Sequence, residues 1–203
     1  IGSFEFRLNM NALKRVHYAY ICFHAAKLGK KLGYKKISVI EYGVAGGQGL
    51  IILEKHIKEI EKFFNIEIDI YGFDTGEGLP EPVDYRDLPY HWKKGFFEMK
   101  KNDLQNNLKK SKLVIGHIES TSKSFFSKYN PAPIGAMIHD FDFYSSTKIA
   151  LSMMCNNENF FLPRVFSYFD DTIGDEVSLY NDFTGERLAI NEFNNKNNDI
   201  KIS

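Results

Sequence analysis

The stretch Ile37-Ser38-Val39-Ile40-Glu41-Tyr42-Gly43-Val44-Ala45-Gly46-Gly47-Gln48-Gly49 determines the fold that we predict for this sequence. An apolar run rich in β-branched residues ends at the acidic Glu41, and four glycines follow within seven positions. Residues 50–64 then repeat apolar side chains with the period of a helix. A strand, a tight glycine turn and a helix start present backbone N–H groups to a ligand, and glycine allows both positive φ and close approach. The stretch therefore predicts a ligand-binding turn between a strand and a helix.

The spacing of the glycines narrows the class of ligand. A dinucleotide-binding G-x-G-x-x-G pattern fails from Gly43, because the third residue is Ala45, and from Gly47, because the sixth is Ile52. A Walker A loop fails because no Gly-Lys-Ser/Thr follows. The remaining pattern, an acid and then G-x-x-G-G-x-G, resembles motif I of class I S-adenosylmethionine-dependent methyltransferases; the alternative is a glycine turn with a purely structural role. The positions that this resemblance assigns to the cofactor are Glu41, Gly43, Ala45, Gly47 and Gly49.

Length and composition favour one soluble domain over residues 1–203, because a chain of this length can bury one substantial core. The 26 basic and 26 acidic residues balance, so nothing electrostatic favours nucleic acid or an anionic membrane as partner. Two cysteines, Cys22 and Cys155, fit a reducing compartment. No signal peptide is visible and no apolar run reaches the roughly 20 residues of a membrane-spanning helix. We therefore expect a cytoplasmic protein.

Apolar strand-like runs alternate with helical patterns along the chain, which predicts a doubly wound, mostly parallel α/β sheet. The predicted strands are residues 37–41, 67–74, 111–119, 134–140 and 164–169. The predicted helices are residues 11–32, 50–64, 102–110, 120–126 and 147–154, with further helical stretches near 175–181 and 185–193. The methyltransferase resemblance implies the Rossmann-like strand order 3-2-1-4-5. Such enzymes normally continue into strands six and seven, of which only a start near Ile200 is visible, so we expect those strands to be missing.

Asp74 ends the second predicted strand, 25 residues after Gly49. An acidic residue near this distance is where a nucleotide ribose is held through its paired hydroxyl groups. We therefore expect Asp74 and the adjacent Thr75 in the cofactor site, against the alternative of an aspartate that only forms a turn.

Residues 76–99 form a long segment with three prolines and six aromatic residues, counting His91. A segment this long and irregular is more often a functional lid than a connector. Its only tryptophan, Trp92, either lines a pocket or anchors the loop. Residues 194–203 are polar at their start and predict a flexible tail. The segment 76–99 and the helix 11–32 are also candidate contacts for a second copy of the chain.

Paired aspartates close the fourth and fifth predicted strands: Asp140 and Asp142 after one, Asp170 and Asp171 after the other. Neighbouring parallel strands end at one edge of the sheet, where ligands bind. Carboxylates this close cannot all stay ionised without a cation, and oxygen ligands favour Mg²⁺ first. The alternative is that these aspartates are solvated loop residues or helix caps.

These motifs together resemble the macrocin O-methyltransferase family, metal-dependent enzymes that methylate sugar hydroxyls. The segments that carry the resemblance are Gly72-Phe73-Asp74-Thr75-x-x-Gly78-Leu79-Pro80, Asp140-x-Asp142-x-Tyr144-x-Ser146-Thr147 and Phe169-Asp170-Asp171. The resemblance implies Asp140, Asp170 and Asp171 as metal ligands and Asp142 as the general base. It also implies that Asp74 holds the ribose, that Asp140 lies beside the cofactor, and that His117 and Ile118 lie along the adenine.

The predicted activity is therefore Mg²⁺-dependent methyl transfer from S-adenosylmethionine to a hydroxyl of a sugar or glycosylated small molecule. Two alternatives remain at this stage. One is a metal-independent methyltransferase that acts on another nucleophile, such as a phenol or carboxylate. The other is a nucleotide- or sugar-binding protein that has lost catalysis.

Overall fold

The computed structural model describes residues 2–174 and 180–203. Five parallel strands form one sheet in the order β3-β2-β1-β4-β5. The strands are β1 Lys36–Tyr42, β2 Glu67–Asp74, β3 Lys112–Ile115, β4 Ile134–His139 and β5 Phe161–Phe169. The predicted doubly wound α/β fold and its strand order are confirmed.

Helices cover both faces of the sheet. In the described residues they are α1 Phe4–Asn9, α2 Val16–Lys31, α3 Gln48–Phe64, α4 Lys101–Asn107, α5 Ile118–Tyr129, α6 Tyr144–Asn156 and α7 Gly185–Lys196. One core cluster contains side chains of α1 to α4, and the other contains side chains of α5 to α7. Strand β1 lies between them, so Val39 packs into the first cluster and Ile40 into the second. A strand covered on both faces is apolar without interruption, which explains why the central strands could be predicted.

The N-terminal segment differs from the predicted helix 11–32. Two helices lie there, and the chain between them passes through Asn11 and Arg15, which both have positive φ (57° and 44°). The positive φ of Arg15 ends any continuous helix, because left-handed backbone cannot join a right-handed helix. Helix α2 therefore begins at Val16.

The C-terminal segment is more ordered at its start than a tail would be. Helix α7 continues to Lys196, and the side chain of Asn194 accepts a hydrogen bond from the N–H of Ile202 (2.7 Å) and donates one to its carbonyl (2.8 Å). Residues 200–203 form no strand. Most of the helix predicted near residues 175–181 lies outside the described residues. No helix in the described part of the chain combines the length and apolarity needed to cross a membrane.

Candidate active site

A cavity of about 400 Å³ lies at the carboxyl ends of the strands. This is the edge of a doubly wound sheet where ligands bind, and the volume is in the range of small-molecule sites. The residues after every strand contribute to its lining. These are Gly43 and Ala45 after β1, Asp74 and Thr75 at the end of β2, Gly116, His117 and Ile118 after β3, Asp140 and Asp142 after β4, and Asp170 and Asp171 after β5. Topology therefore brings together ten of the predicted site residues.

The glycine turn divides into a part that faces the cavity and a part that faces the core. Gly43 has φ 79°, and a Cβ there would lie 1.7 Å from the carbonyl oxygen of Asp140, so only glycine fits between β1 and β4. Ala45 lines the cavity with φ 48°. A Cβ on Gly47 would meet the side chain of Leu104 at 2.1 Å, and one on Gly49 would meet Oε1 of Glu41 at 1.9 Å. Neither Gly47 nor Gly49 lines the cavity.

Glu41 is buried beneath the cavity and is not part of its lining. Its Oε1 accepts a hydrogen bond from the hydroxyl of Tyr18 (3.1 Å), whose oxygen accepts one from Nη1 of Arg15 (2.9 Å). Burial raises the pKa of Glu41 to about 8, although the bond from Tyr18 opposes this shift. The structure thus connects Glu41 to the cavity through Tyr18 and Arg15.

Asp74 joins the end of β2 to the glycine turn. Its Oδ2 accepts the N–H groups of Val44 and Ala45, both at 2.9 Å, and its Oδ1 accepts the N–H of Gly76 at 2.6 Å. Burial raises the pKa of Asp74, and the three N–H donors oppose that shift. A carboxylate accepts about four hydrogen bonds, so this arrangement leaves room for one more, on Oδ1. Asp74 therefore has room for a further donor on Oδ1, and its role at a ribose stays a prediction.

The four aspartates all line the cavity. Asp142 has φ 60°, and its backbone N–H donates to Oδ2 of Asp171 at 3.0 Å. The other oxygen of Asp171 accepts from the hydroxyl of Tyr180 at 2.7 Å. Oδ1 of Asp170 accepts from the hydroxyl of Tyr168 at 2.6 Å. The side chains of Asp140 and Asp142 have no hydrogen bond in the described structure, which leaves their oxygens available to a ligand.

Burial, together with the charges of neighbouring carboxylates, raises the pKa of Asp140, Asp142 and Asp171. Burial raises the pKa of Asp140 to about 7, and the charges of Asp170 and Asp171 add to the shift. Burial also raises the pKa of Asp142, with further contributions from Asp171 and Asp140. Perturbed carboxylates in a cavity are typical of functional sites.

The predicted metal site requires carboxylate oxygens of Asp140, Asp170 and Asp171 at one place in the cavity. The donor chemistry suits Mg²⁺, because carboxylate oxygens are its preferred ligands. Each oxygen of Asp171 accepts one hydrogen bond, as does one oxygen of Asp170, so these carboxylates keep some acceptor capacity. Among the described residues, no group of three or more His, Cys, Asp or Glu side chains is arranged to hold an ion. Mg²⁺ binding is therefore not supported by the structure, and the ligand set Asp140, Asp170 and Asp171 stays a prediction.

Segment 76–99 forms one wall of the cavity. Its residues in the lining are Gly78, Leu79, Pro80, Glu81, Val83, Trp92 and Phe97. Trp92 lines the cavity, and its ring also packs against Phe97 of the same segment, with 5.7 Å between the ring centroids. The carboxylate of Asp87 anchors the segment, because it is buried and accepts the N–H of Val83 (2.9 Å) and both the N–H (2.8 Å) and the hydroxyl (2.9 Å) of Ser145. The guanidinium of Arg86 also lies over the ring of Tyr144, with a distance of 4.3 Å to the centroid.

Sequence reasoning missed Arg15, Glu119, Ser145 and Ser146, which also line the cavity. Arg15 lies 28 positions before Gly43, in a segment that reads as continuous helix. Ser145 and Ser146 belong to the first turn of α6, directly after the paired aspartates, and that proximity was a usable signal.

The sequence matches no protein-family profile and no curated protein. Among solved structures, the fold is similar to that of CalS11, a calicheamicin methyltransferase, with a TM-score of 0.65 and 18% identity over 89% of this chain and 72% of that one. The apo structure of CalS11, a TDP-rhamnose 3′-O-methyltransferase of calicheamicin biosynthesis, gives a TM-score of 0.51 with the same identity and coverage. These similarities show a Rossmann-like methyltransferase fold. The resemblance to the macrocin O-methyltransferase family stays a prediction.

Proposed function

We propose that this protein is an S-adenosylmethionine-dependent O-methyltransferase that acts on a hydroxyl of a sugar or glycosylated small molecule. The observation that carries the proposal is that one cavity contains both Asp74 with the glycine turn and the aspartates after β4 and β5. The first group suits a nucleoside, and the second suits an acceptor that must lose a proton. The fold similarity to a sugar O-methyltransferase supports the same reading.

The cofactor fits the half of the cavity near β1 and β2. Gly43 and Ala45 line this half, and Oδ1 of Asp74 has acceptor capacity for a ribose hydroxyl. His117 and Ile118, where α5 begins, form the neighbouring wall, where we place the adenine. When bound, S-adenosylmethionine would supply a methyl group attached to a positively charged sulfur. An oxygen nucleophile can attack that methyl group, and S-adenosylhomocysteine is the leaving group.

Asp142 is the residue that we propose as general base. It lines the cavity, and its side-chain oxygens have no donor among the described residues. Burial raises the pKa of Asp142, so its ionised form is a stronger proton acceptor but is populated only as the pH rises, and we expect turnover to increase with pH. Asp142 would accept the hydroxyl proton, while the wall formed by Trp92 and Phe97 would hold the acceptor against the sheet edge and exclude water.

The involvement of Mg²⁺ is a separate prediction that the family resemblance makes. The unpaired oxygens of Asp140 and Asp142 support it, whereas no group of three or more ligating side chains in the described part of the chain is arranged to hold an ion. No step proposed above depends on a metal ion. The chain's own residues account for binding the nucleoside and for accepting the proton.

The experiment that tests this function is a calorimetric titration with S-adenosylhomocysteine in Mg²⁺ and again in EDTA. We expect saturable binding with a similar Kd in both buffers. Of the predicted metal ligands, only Asp140 lies in the cofactor half of the cavity, so removing Mg²⁺ should have little effect on cofactor binding. Absence of binding in both buffers would refute the proposed function. Binding without transfer of labelled methyl groups to a panel of glycosides would favour the catalytically inactive alternative, and transfer that EDTA does not affect would favour the metal-independent one.

A further inference from the structure

We infer that Arg15 binds the carboxylate of the amino-acid part of the cofactor. The inference rests on the proposed function and extends it, because it assigns the recognition of one end of S-adenosylmethionine to a residue outside the sheet. It also gives a role to the acidic residue at the end of β1.

The charge of the cavity lining supports this assignment. Arg15 is the only lysine or arginine among the described residues of the lining. Seven carboxyl groups share the cavity with it, those of Asp74, Glu81, Glu119, Asp140, Asp142, Asp170 and Asp171. The cofactor has one anionic group, its carboxylate, and two cationic groups, its ammonium and sulfonium. Among the charged side chains of the described lining, only Arg15 can pair with the carboxylate of the cofactor, whereas several carboxyl groups can pair with its ammonium and sulfonium groups.

The guanidinium of Arg15 is held in place without being neutralised. Its Nη1 donates to the hydroxyl oxygen of Tyr18, and its central carbon lies 5.0 Å from the centroid of that ring. Within the described residues it forms no ion pair with a carboxylate. Asp140 and Asp170 lie near enough to interact with its charge. The guanidinium N–H groups that do not bind Tyr18 can therefore pair with a carboxylate that a ligand supplies.

Arg15 has a left-handed, strained backbone at the point where its side chain lines the cavity. Its φ of 44° and ψ of 57° place it in the left-handed region, which disfavours residues other than glycine by about 1–2 kcal/mol. Arg15 precedes the first residue of α2 without making a side-chain cap for that helix. Strain at a residue that lines a cavity and does not cap its helix indicates a functional requirement.

Glu41 acts in this arrangement as a positioning residue. It accepts a hydrogen bond from the hydroxyl group of Tyr18. The oxygen of that hydroxyl can then accept a hydrogen bond from Arg15. The three side chains form a chain of hydrogen bonds from the buried end of β1 to the cavity. Glu41, the acidic residue before the glycines of motif I, would thus help to bind the cofactor by positioning Arg15 through Tyr18.

The test compares S-adenosylhomocysteine with its decarboxylated derivative, which keeps the adenosine, the thioether and the amine but lacks the carboxylate. Calorimetry on wild type is expected to show at least a tenfold preference for S-adenosylhomocysteine, the usual scale of a hydrogen bond between charged groups. Arg15→Gln should remove this preference by weakening S-adenosylhomocysteine alone, and Arg15→Lys should keep part of it. Lys14→Gln, which changes the exposed neighbour, is the matched control and should keep the whole preference.

Each outcome bears on one of the two claims. If wild type binds neither ligand, the proposed function fails and the role of Arg15 fails with it. If wild type binds both but Arg15→Gln weakens both equally, only the role of Arg15 is overturned. Should Arg15→Gln fail to fold, as its thermal midpoint would show, Tyr18→Phe replaces it. That variant removes the hydroxyl that holds the guanidinium and should reduce the preference, whereas an unchanged preference would contradict the inference.

Discussion

The backbone N–H of Asp142 donates a hydrogen bond to Oδ2 of Asp171, at 3.0 Å, and this bond joins the loop after β4 to the end of β5. Asp142 has a left-handed backbone, with φ 60°, which aspartate and asparagine tolerate better than other side chains. Because Asp171 fixes that backbone, the carboxylate of Asp142 stays in the cavity with its oxygens unpaired. Asp171 at the end of one strand thus positions Asp142 after the neighbouring strand.

Asp142→Asn should abolish most of the turnover and leave cofactor binding intact. Asparagine tolerates the same backbone and cannot accept the acceptor's proton, so kcat is expected to fall by about 10²–10⁴-fold. The Kd of S-adenosylhomocysteine should change by less than about twofold, because this side chain lies on the acceptor side. Single-turnover rates and calorimetry measure the two quantities. The exposed Asp103→Asn in α4 serves as control, and a large loss of cofactor affinity in Asp142→Asn would contradict its role as base.

Alanine should destabilise the protein at Gly43 and have little effect at Gly46, although both glycines belong to the same turn. Gly43→Ala introduces a Cβ 1.7 Å from the carbonyl oxygen of Asp140 at a residue with φ 79°. Left-handed backbone and overpacking together predict a loss of at least about 2 kcal/mol in the free energy of unfolding. Gly46→Ala meets no atom within 4 Å and should change that free energy by less than about 0.5 kcal/mol. Urea denaturation measures both, and equal effects would show that the turn differs from this structure.

Asp87→Asn should loosen segment 76–99. The buried carboxylate accepts three hydrogen bonds, and an amide group replaces one acceptor oxygen by a donor that would face Val83 N–H or Ser145. Losing a buried acceptor predicts a decrease of about 1–3 kcal/mol in the free energy of unfolding. Limited proteolysis should also cleave the segment faster. Glu98→Gln, which changes an exposed carboxylate of the same segment, is the control, and cleavage of this variant as fast as that of Asp87→Asn would contradict the anchoring role.

The fold could be predicted because the strands are long apolar runs whose ends coincide with turn residues. Strand β2 begins and ends where the sequence predicts, at Glu67 and Asp74. The aspartates after β4 and β5 could also be predicted as neighbours, because the order of a parallel sheet determines which strand ends meet. For these residues, position along the chain was sufficient information.

The remainder of the site depends on tertiary packing that sequence patterns do not contain. Strand β1 is buried on both faces, so its sequence does not alternate between polar and apolar residues. The sequence therefore did not show that the side chain of Glu41 points away from the cavity and toward Tyr18. Arg15 reaches the cavity only because the chain leaves the helical region there, whereas the apolar period runs through that break. Likewise, the composition of segment 76–99 predicted a lid without predicting which of its aromatic residues form the wall.

Glu41→Gln should make the stability of the protein less dependent on pH. Burial raises the pKa of Glu41 to about 8 in the folded protein, whereas the unfolded chain has the ordinary value of 4.5. Between these values the folded state binds one more proton than the unfolded state, so the free energy of unfolding of wild type falls as pH rises. Glutamine keeps an acceptor for the hydroxyl of Tyr18 and has no proton to lose. The variant should therefore gain roughly 3 kcal/mol relative to wild type between pH 5 and pH 8, at about 1.4 kcal/mol per pH unit. Urea denaturation of both proteins at the two pH values measures this difference, and a difference that stays constant would show that Glu41 is ionised in the folded state.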